Sequence, residues 1–256
     1  MQNIIFMNRI LYSVVALSAL LASCSEQFAE SYFIQGATSV ASLDQKKLYL
    51  KAYAGEGQGS IIDSCEVVHG GFTFTGKLDT ISMAELSTID GGLPVVLEKG
   101  NITVNIERTG RRVSGSPQNE TLYDFLEKHL QLENQIKELD RKETQMIFDG
   151  VDQQTIAKVL TAEGQLLMMR IDSLETRFII DNSDNILGPY VFCELTRNYS
   201  YPVMTPQIEE IMFKATEKFK KNPYVSTYCK NAQDILARMK GETDHADKAP
   251  AAANEQ

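Results

Sequence analysis

Dithiol chemistry, metal ligation and nucleic-acid binding all lack their usual marks in this chain. None of the four cysteines stands in a Cys-x-x-Cys pair, the spacing that redox and zinc sites use. Histidine is confined to His69, His129 and His245, and none has a neighbour at metal-ligand or Ser-His-Asp spacing. Ser64 has no Gly-x-Ser-x-Gly elbow around it. The glycines of Gly55-Glu56-Gly57-Gln58-Gly59 lack the apolar strand-to-helix setting of a dinucleotide loop. The order of residues therefore implies no catalytic residue, no metal and no cofactor. Basic charge is also scarce, with 25 Lys and Arg against 34 Asp and Glu, a formal net charge of −9. Phosphate backbones repel such a chain, and no basic cluster offsets the repulsion, so nucleic acid is not an expected partner. No apolar run reaches the ~20 residues needed to span a bilayer.

The N-terminal segment carries the clearest positive signal. Arg9 is the only charged residue before Cys24; an apolar run starts at Ile10 and closes at Leu21-Ala22-Ser23-Cys24. A basic start, a short apolar stretch and small residues at the cut mark a secretory signal. Met7-Asn8-Arg9 suits the start of such a signal even better than Met1, because the basic residue then lies next to the initiator. Leu-Ala-Ser-Cys resembles a bacterial lipobox, which implies cleavage before Cys24 and a lipid anchor on it. Residues 1–23 are thus expected to be a lipoprotein signal peptide and residues 24–30 a short tether. The expected location is the bacterial cell envelope, at the outer membrane on its periplasmic side or its surface. Membrane contact would come through the lipid on Cys24 rather than through a polybasic face. From Cys24 onward 233 residues remain, with 24 basic against 34 acidic, enough for one large domain or two small ones.

Cys65, Cys193 and Cys229 are left, an odd number in a compartment that permits disulfides. They read as buried, inert thiols, with a Cys193–Cys229 bridge between helices as the alternative.

From Tyr32 to about Val113 the pattern is β, and residues 31–116 are expected to form an antiparallel β-sandwich. Tyr32-Phe33-Ile34-Gln35-Gly36 reads as a short strand ended by glycine. Lys46 to Tyr53 alternates, with Leu48, Leu50 and Ala52 on one face, the period of a half-buried strand. Gly55 to Ser60 breaks it as a loop. Ile61–Val68 and Phe72–Gly76 flank His69-Gly70-Gly71 and read as a hairpin. Met83–Ile89 is another strand. Leu93–Leu97 and Ile102–Ile106 surround Glu98-Lys99-Gly100-Asn101 as a second hairpin, with Pro94 at a strand start or an edge.

After Gly115 the period changes, and residues 117–241 are expected to be helical. Leu122, Phe125, Leu126, His129, Ile136 and Leu139 recur at three- and four-residue steps, with Asn119 or Thr121 as the cap. A second helix spans about Gln153 to Ile180, long enough to pair with the first as an antiparallel hairpin. Asn182-Ser183-Asp184-Asn185 is a polar turn, and a short helix covers Pro189 to Thr196. Thr205-Pro206 and Asn222-Pro223 each start a helix with a capping side chain before proline, and the last ends near Lys240-Gly241. Residues 242–256 hold no apolar side chain larger than alanine and read as a disordered tail. Tyr190, Phe192, Tyr199 and Tyr201 cluster around one loop, helix packing being the favoured reading. The fold class is α+β.

The succession Phe33-x-x-Gly36, Lys47-Leu48-Tyr49-Leu50, Ile62-Asp63-Ser64, Gly71-Phe72-Thr73-Phe74-Thr75-Gly76, Leu97-Glu98-Lys99-Gly100-Asn101-Ile102 and Val113-Ser114-Gly115-Ser116-x-x-Asn119 resembles a known envelope module. It is similar to domain of unknown function 4369, the N-terminal domain of bacterial lipoproteins related to thiol-disulfide interchange proteins. The resemblance covers roughly Ser31 to Leu126, and Asn185-Ile186-Leu187-Gly188-Pro189-Tyr190 is similar to the connector of that family. In the fuller relatives a thioredoxin-like domain with its Cys-x-x-Cys follows the connector. Here only a short polar tail follows Gly241, so that domain is not expected and redox catalysis is not carried over. The resemblance thus implies a scaffold and a location. Three functions are compatible with these readings: a non-catalytic envelope lipoprotein that binds a protein or small ligand; an accessory partner of a thiol-disulfide oxidoreductase; and a hydrolase whose carboxylates or serine meet only in three dimensions.

Overall fold

The computed structural model describes residues 30–53, 59–89 and 91–246, with side chains to residue 239. The expected signal peptide, Cys24, most of the tether, most of the Gly55–Ser60 loop and the tail from 247 lie outside the described residues. The chain divides into two compact units, Met1–Tyr123 and Asp124–Gln256.

Among its described residues the first unit holds eight strands: β1 (Ser31–Thr38), β2 (Lys47–Ala52), β3 (Ile61–Glu66), β4 (Gly71–Lys77), β5 (Ser82–Thr88), β6 (Gly91–Leu97), β7 (Gly100–Ile106) and β8 (Arg111–Ser114). They form two four-stranded sheets, in the orders β4-β1-β7-β8 and β3-β2-β5-β6. Each sheet buries one face, through Ile34, Phe72, Phe74, Ile102 and Val104 in the first and Leu48, Leu50, Leu86 and Val95 in the second. That one-sided burial is the reason the strands alternate in sequence, and each fully buried Leu or Ile contributes about 1.5–3 kcal/mol. Phe72 and Phe74 share a face as their spacing requires, with ring centroids 6.2 Å apart and edge to face.

The α+β class and the succession of sheets then helices match the reading of the sequence; strand pairing departs from it in two ways. Neither expected hairpin is paired. β3 and β4 belong to different sheets, as do β6 and β7. A single bridge, Val68 to Gly71, closes the first turn, where His69 (φ 52) and Gly70 (φ 75) take left-handed backbone. The turn chemistry is thus correct, but the chain uses it as a corner from one sheet to the other. In addition, β1 pairs β7 in parallel, whereas the other strand pairings are antiparallel. Gly36 also does not end β1. It lies within the strand, at a position that must be glycine because a Cβ there would come within 2.0 Å of the Phe72 ring.

Among the described residues six α-helices follow: α1 (Pro117–Phe148), α2 (Gln153–Asp181), α3 (Leu187–Arg197), α4 (Pro206–Lys214), α5 (Glu217–Lys220) and α6 (Pro223–Ala246). The proline-marked starts are formed as expected. Thr205 Oγ1 accepts from Ile208 N at 3.2 Å, and Asn222 Oδ1 accepts from Tyr224 N at 3.0 Å. Asp152 caps α2 by accepting from Thr155 N. One expectation is corrected: α6 passes Gly241 and runs to Ala246, since one glycine costs a helix only about 1 kcal/mol. The boundary between the two compact units falls after Tyr123, inside α1; its cause lies in what the first turns of α1 touch.

Candidate functional site

Strand β6 is an edge of its sheet, and its outward backbone groups are taken by α1 rather than left open. The side-chain amide of Asn119, fully buried, accepts from Val96 N at 2.9 Å and donates to Val96 O at 2.8 Å and to Ser116 Oγ at 2.8 Å. One helical turn later Tyr123 OH donates to Pro94 O at 2.9 Å. Pro94 has no N–H to satisfy, so a proline fits this edge. The buried Glu98 carboxylate accepts from Gln118 N at 3.0 Å and so caps the first turn of α1. Asn119 is therefore not the expected helix cap; it serves as an extra rung of the ladder. Thr121 does not cap either, and donates to Pro117 O. These contacts blunt an edge that would otherwise invite pairing, and they draw Pro117–Tyr123 into the first unit. The anchors Leu97 to Ile102 and Val113 to Asn119 are thus scaffold chemistry. So is Asp63, whose Oδ1 accepts from Ser64 N at 2.7 Å.

In the second unit the polar side chains converge at one rung of the α1–α2 hairpin. His129 Nε2 lies 2.9 Å from Glu175 Oε1, and its Nδ1 is 3.5 Å from Glu133. Gln207 on α4 donates from Nε2 to Glu175 Oε2 at 3.2 Å and to Asp172 O at 3.1 Å, tying a third helix to the pair. Phe125 stacks on Phe178 at 4.2 Å beneath it. The hydrogen bond to Glu175 raises the His129 pKa above its ordinary value; burial opposes the shift, and the charges of Glu175 and Glu133 add to it. Burial and the charge of Glu175 also raise Asp172. The arrangement is a charge-assisted clamp, with both ring nitrogens of His129 turned toward carboxylates. Among the described residues no group of three or more His, Cys, Asp and Glu side chains is placed to hold a metal ion.

Beyond that rung the hairpin continues, with Lys142 bonded to Glu163 and Gly164 packed near Leu139. On one face the two helices leave an open groove of about 590 Å³, lined by Leu139, Leu166 and Leu167. Charged residues line it as well, among them Glu138 and Arg141, which pair at 2.9 Å. This groove is the candidate binding surface.

Cys65, Cys193 and Cys229 are all free thiols. The alternative Cys193–Cys229 bridge is thus not formed: Cys193 on α3 and Cys229 on α6 are buried apolar side chains of the helical core. Burial pushes the Cys229 thiol up and holds that of Cys65 at about 11, which keeps both protonated and unreactive. The four aromatics around one loop divide, with Tyr190 and Phe192 buried and Tyr199 and Tyr201 exposed. Phe192 packs edge to face on Phe219 and Tyr228, each 5.5 Å away. The candidates that sequence reasoning missed are Glu175 and Gln207, which lie 46 and 78 residues from His129 and carry no local motif.

A two-sheet β module leading into helices is the class this architecture defines. More specifically, residues 32–122 match the family model for a domain of unknown function (DUF4369). The match ends at Leu122, where the first turns of α1 have sealed β6. No curated protein matches the chain. Among the described residues no helix is long and apolar enough to cross a membrane.

Proposed function

We propose that this protein is a lipid-anchored bacterial envelope lipoprotein that acts by binding rather than by catalysis. The observation that carries the reading is the N-terminal sequence itself: Arg9, the apolar run from Ile10, and Leu21-Ala22-Ser23-Cys24 at its end. Cys24 would bear the lipid and hold the protein at the outer membrane, on its periplasmic side or its surface. The fold supports a binding role because its chemistry-bearing side chains are engaged in construction. His129 clamps three helices through Glu175 and Gln207, Glu98 caps α1, and the described cysteines are protonated or buried. The α1–α2 groove supplies an apolar, open surface of the kind partners use.

A second reading, an accessory partner of a thiol-disulfide oxidoreductase, is favoured by the match of residues 32–122 to a family that resembles the leading module of such lipoproteins. Cys24→Ala tests the main reading. The wild-type protein is expected in the membrane fraction and the variant in the soluble fraction or unprocessed; unchanged fractionation would refute the anchor.

A further inference from the structure

The first sheet turns outward a face that is polar but almost uncharged. Ile34, Phe74 and Ile102 are buried, and successive side chains of a strand point to opposite sides, so their chain neighbours face solvent. Register lines these neighbours up. Gln35 lies between Thr73 on β4 and Thr103 on β7, and Ser114 on β8 continues the row. Asn101 and Asn105 stand one row to either side, with Phe33, half-buried, next to Asn101. None of these six polar side chains makes a hydrogen bond to any described residue. Their donors and acceptors are left to water or to a ligand.

Charge sets this face apart from the rest of the chain. Charged residues make up 23% of the sequence, and a surface that has only to stay soluble carries them in at least that proportion. At the outward positions of these four strands they are confined to Lys77, at the end of β4, and Arg112, which pairs with Glu120 at 2.8 Å. The second sheet turns outward Lys47 opposite Glu66 and Lys51 opposite Glu85.

We propose that the outward face of the first sheet binds a neutral glycan, an extended chain of uncharged sugar units. The chemistry of the face selects that occupant. Hydroxyl and amide side chains both donate and accept hydrogen bonds, as sugar hydroxyls do, and the Phe33 ring offers an apolar surface to the C–H side of a sugar. Nucleic acids and acidic polysaccharides call for a cluster of basic groups that is not present on these strands. A protein partner calls for aromatic and Arg anchors, whereas Ser and Thr are under-represented where proteins bind one another tightly. Size is adequate as well. Strands about 4.8 Å apart and rows about 6.7 Å apart make three rows across four strands a platform of about 13 Å by about 14 Å, room for a short run of linked sugars laid flat. The inference gives a ligand class to the binding role proposed above and so rests on that role, but not on the anchor.

The test is affinity electrophoresis of the full chain, purified from its own membranes in detergent. Gels contain dextran, galactomannan, laminarin or glycol chitin, with polygalacturonate as the acidic counterpart. At least one neutral polysaccharide should retard the protein, and polygalacturonate should not. Thr73→Val and Thr103→Val keep side-chain shape and strand preference while removing a hydroxyl, and each should weaken binding about fivefold. Phe33→Leu should weaken it about tenfold, since it keeps an apolar side chain but loses the flat ring. Lys47→Ala, on the second sheet, should bind like wild type. Passage unretarded through every neutral gel, equal retardation by polygalacturonate, indifference to both threonine variants, or an equal loss in Lys47→Ala would each overturn the proposal. So would a dimer in sedimentation that Thr103→Val dissolves, because a second copy would then be the occupant. Anchoring is read from fractionation and glycan binding from the gels, so the two failures are distinguishable.

Discussion

Replacing Asn119 by alanine is the sharpest test of how the first unit holds its exposed edge. Asn119 and Val96 are both fully buried, and the amide satisfies Val96 N–H at 2.9 Å and Val96 C=O at 2.8 Å. Truncation strands both backbone groups away from water. Each unpaired buried group costs about 1–3 kcal/mol, so the two together cost about 2–6 kcal/mol. That is a large share of the ~5–15 kcal/mol by which a domain is stable. Hydrogen exchange with mass spectrometry reads the effect locally, without assuming that the two units unfold together. Protection of the Gly91–Leu97 amides in Asn119→Ala should fall about a hundredfold, the equivalent of about 3 kcal/mol at about 1.4 kcal/mol per decade. Asn119→Asp is informative in another way. The introduced carboxylate can still accept from Val96 N–H, but it opposes the Val96 carbonyl with a second oxygen. Its proton is held more tightly folded than unfolded, so this variant should regain protection as pH falls, relative to wild type. A loss below about fivefold in Asn119→Ala, or about 1 kcal/mol, would refute the extra-rung account.

Two further outcomes follow from the helical unit and the thiols. The His129 pKa is raised by its hydrogen bond to Glu175, so the clamp's contribution is fully present below the ordinary histidine value of 6.5 and is lost as pH rises through the folded value. Exchange protection along α1 and α2 should decline over that window, and Glu175→Gln should remove the pH dependence; a variant that titrates like wild type would contradict it. At pH 8 the Cys65 thiol, held at about 11 by burial, is about one part in a thousand thiolate, so alkylation should run at least about a hundredfold slower than for an ordinary cysteine. Recovery of Cys65 in a disulfide, or labelling at the rate of an ordinary free thiol, would refute its assignment as a half-buried, inert thiol.

Much of the architecture was legible in the residues, and the failures share one cause. Period-two alternation located β2, and the change of period after Gly115 located α1 and α2, because burial of one face writes itself into local spacing. Proline after Thr205 and Asn222 located two helix starts for the same local reason. Pairing was not legible. His69-Gly70 and Lys99-Gly100 supply tight turns, but whether a turn joins neighbours or crosses between sheets depends on contacts distant in sequence, such as β1 with β7. Asn119 was misread as a cap because a cap and an edge rung use the same side chain at the same helix end. The clamp was half visible, since His129 falls on the apolar stripe of α1 while Glu175 and Gln207 declare themselves only once three helices meet.

The central claim is that Cys24 anchors this scaffold in a membrane, and intact-mass spectrometry of the protein purified from its own envelope tests it most directly. The account predicts a chain that begins at Cys24, lacks residues 1–23 and carries the added mass of acyl chains on that residue. A chain that retains the N-terminal segment, or that bears an unmodified Cys24, would contradict it.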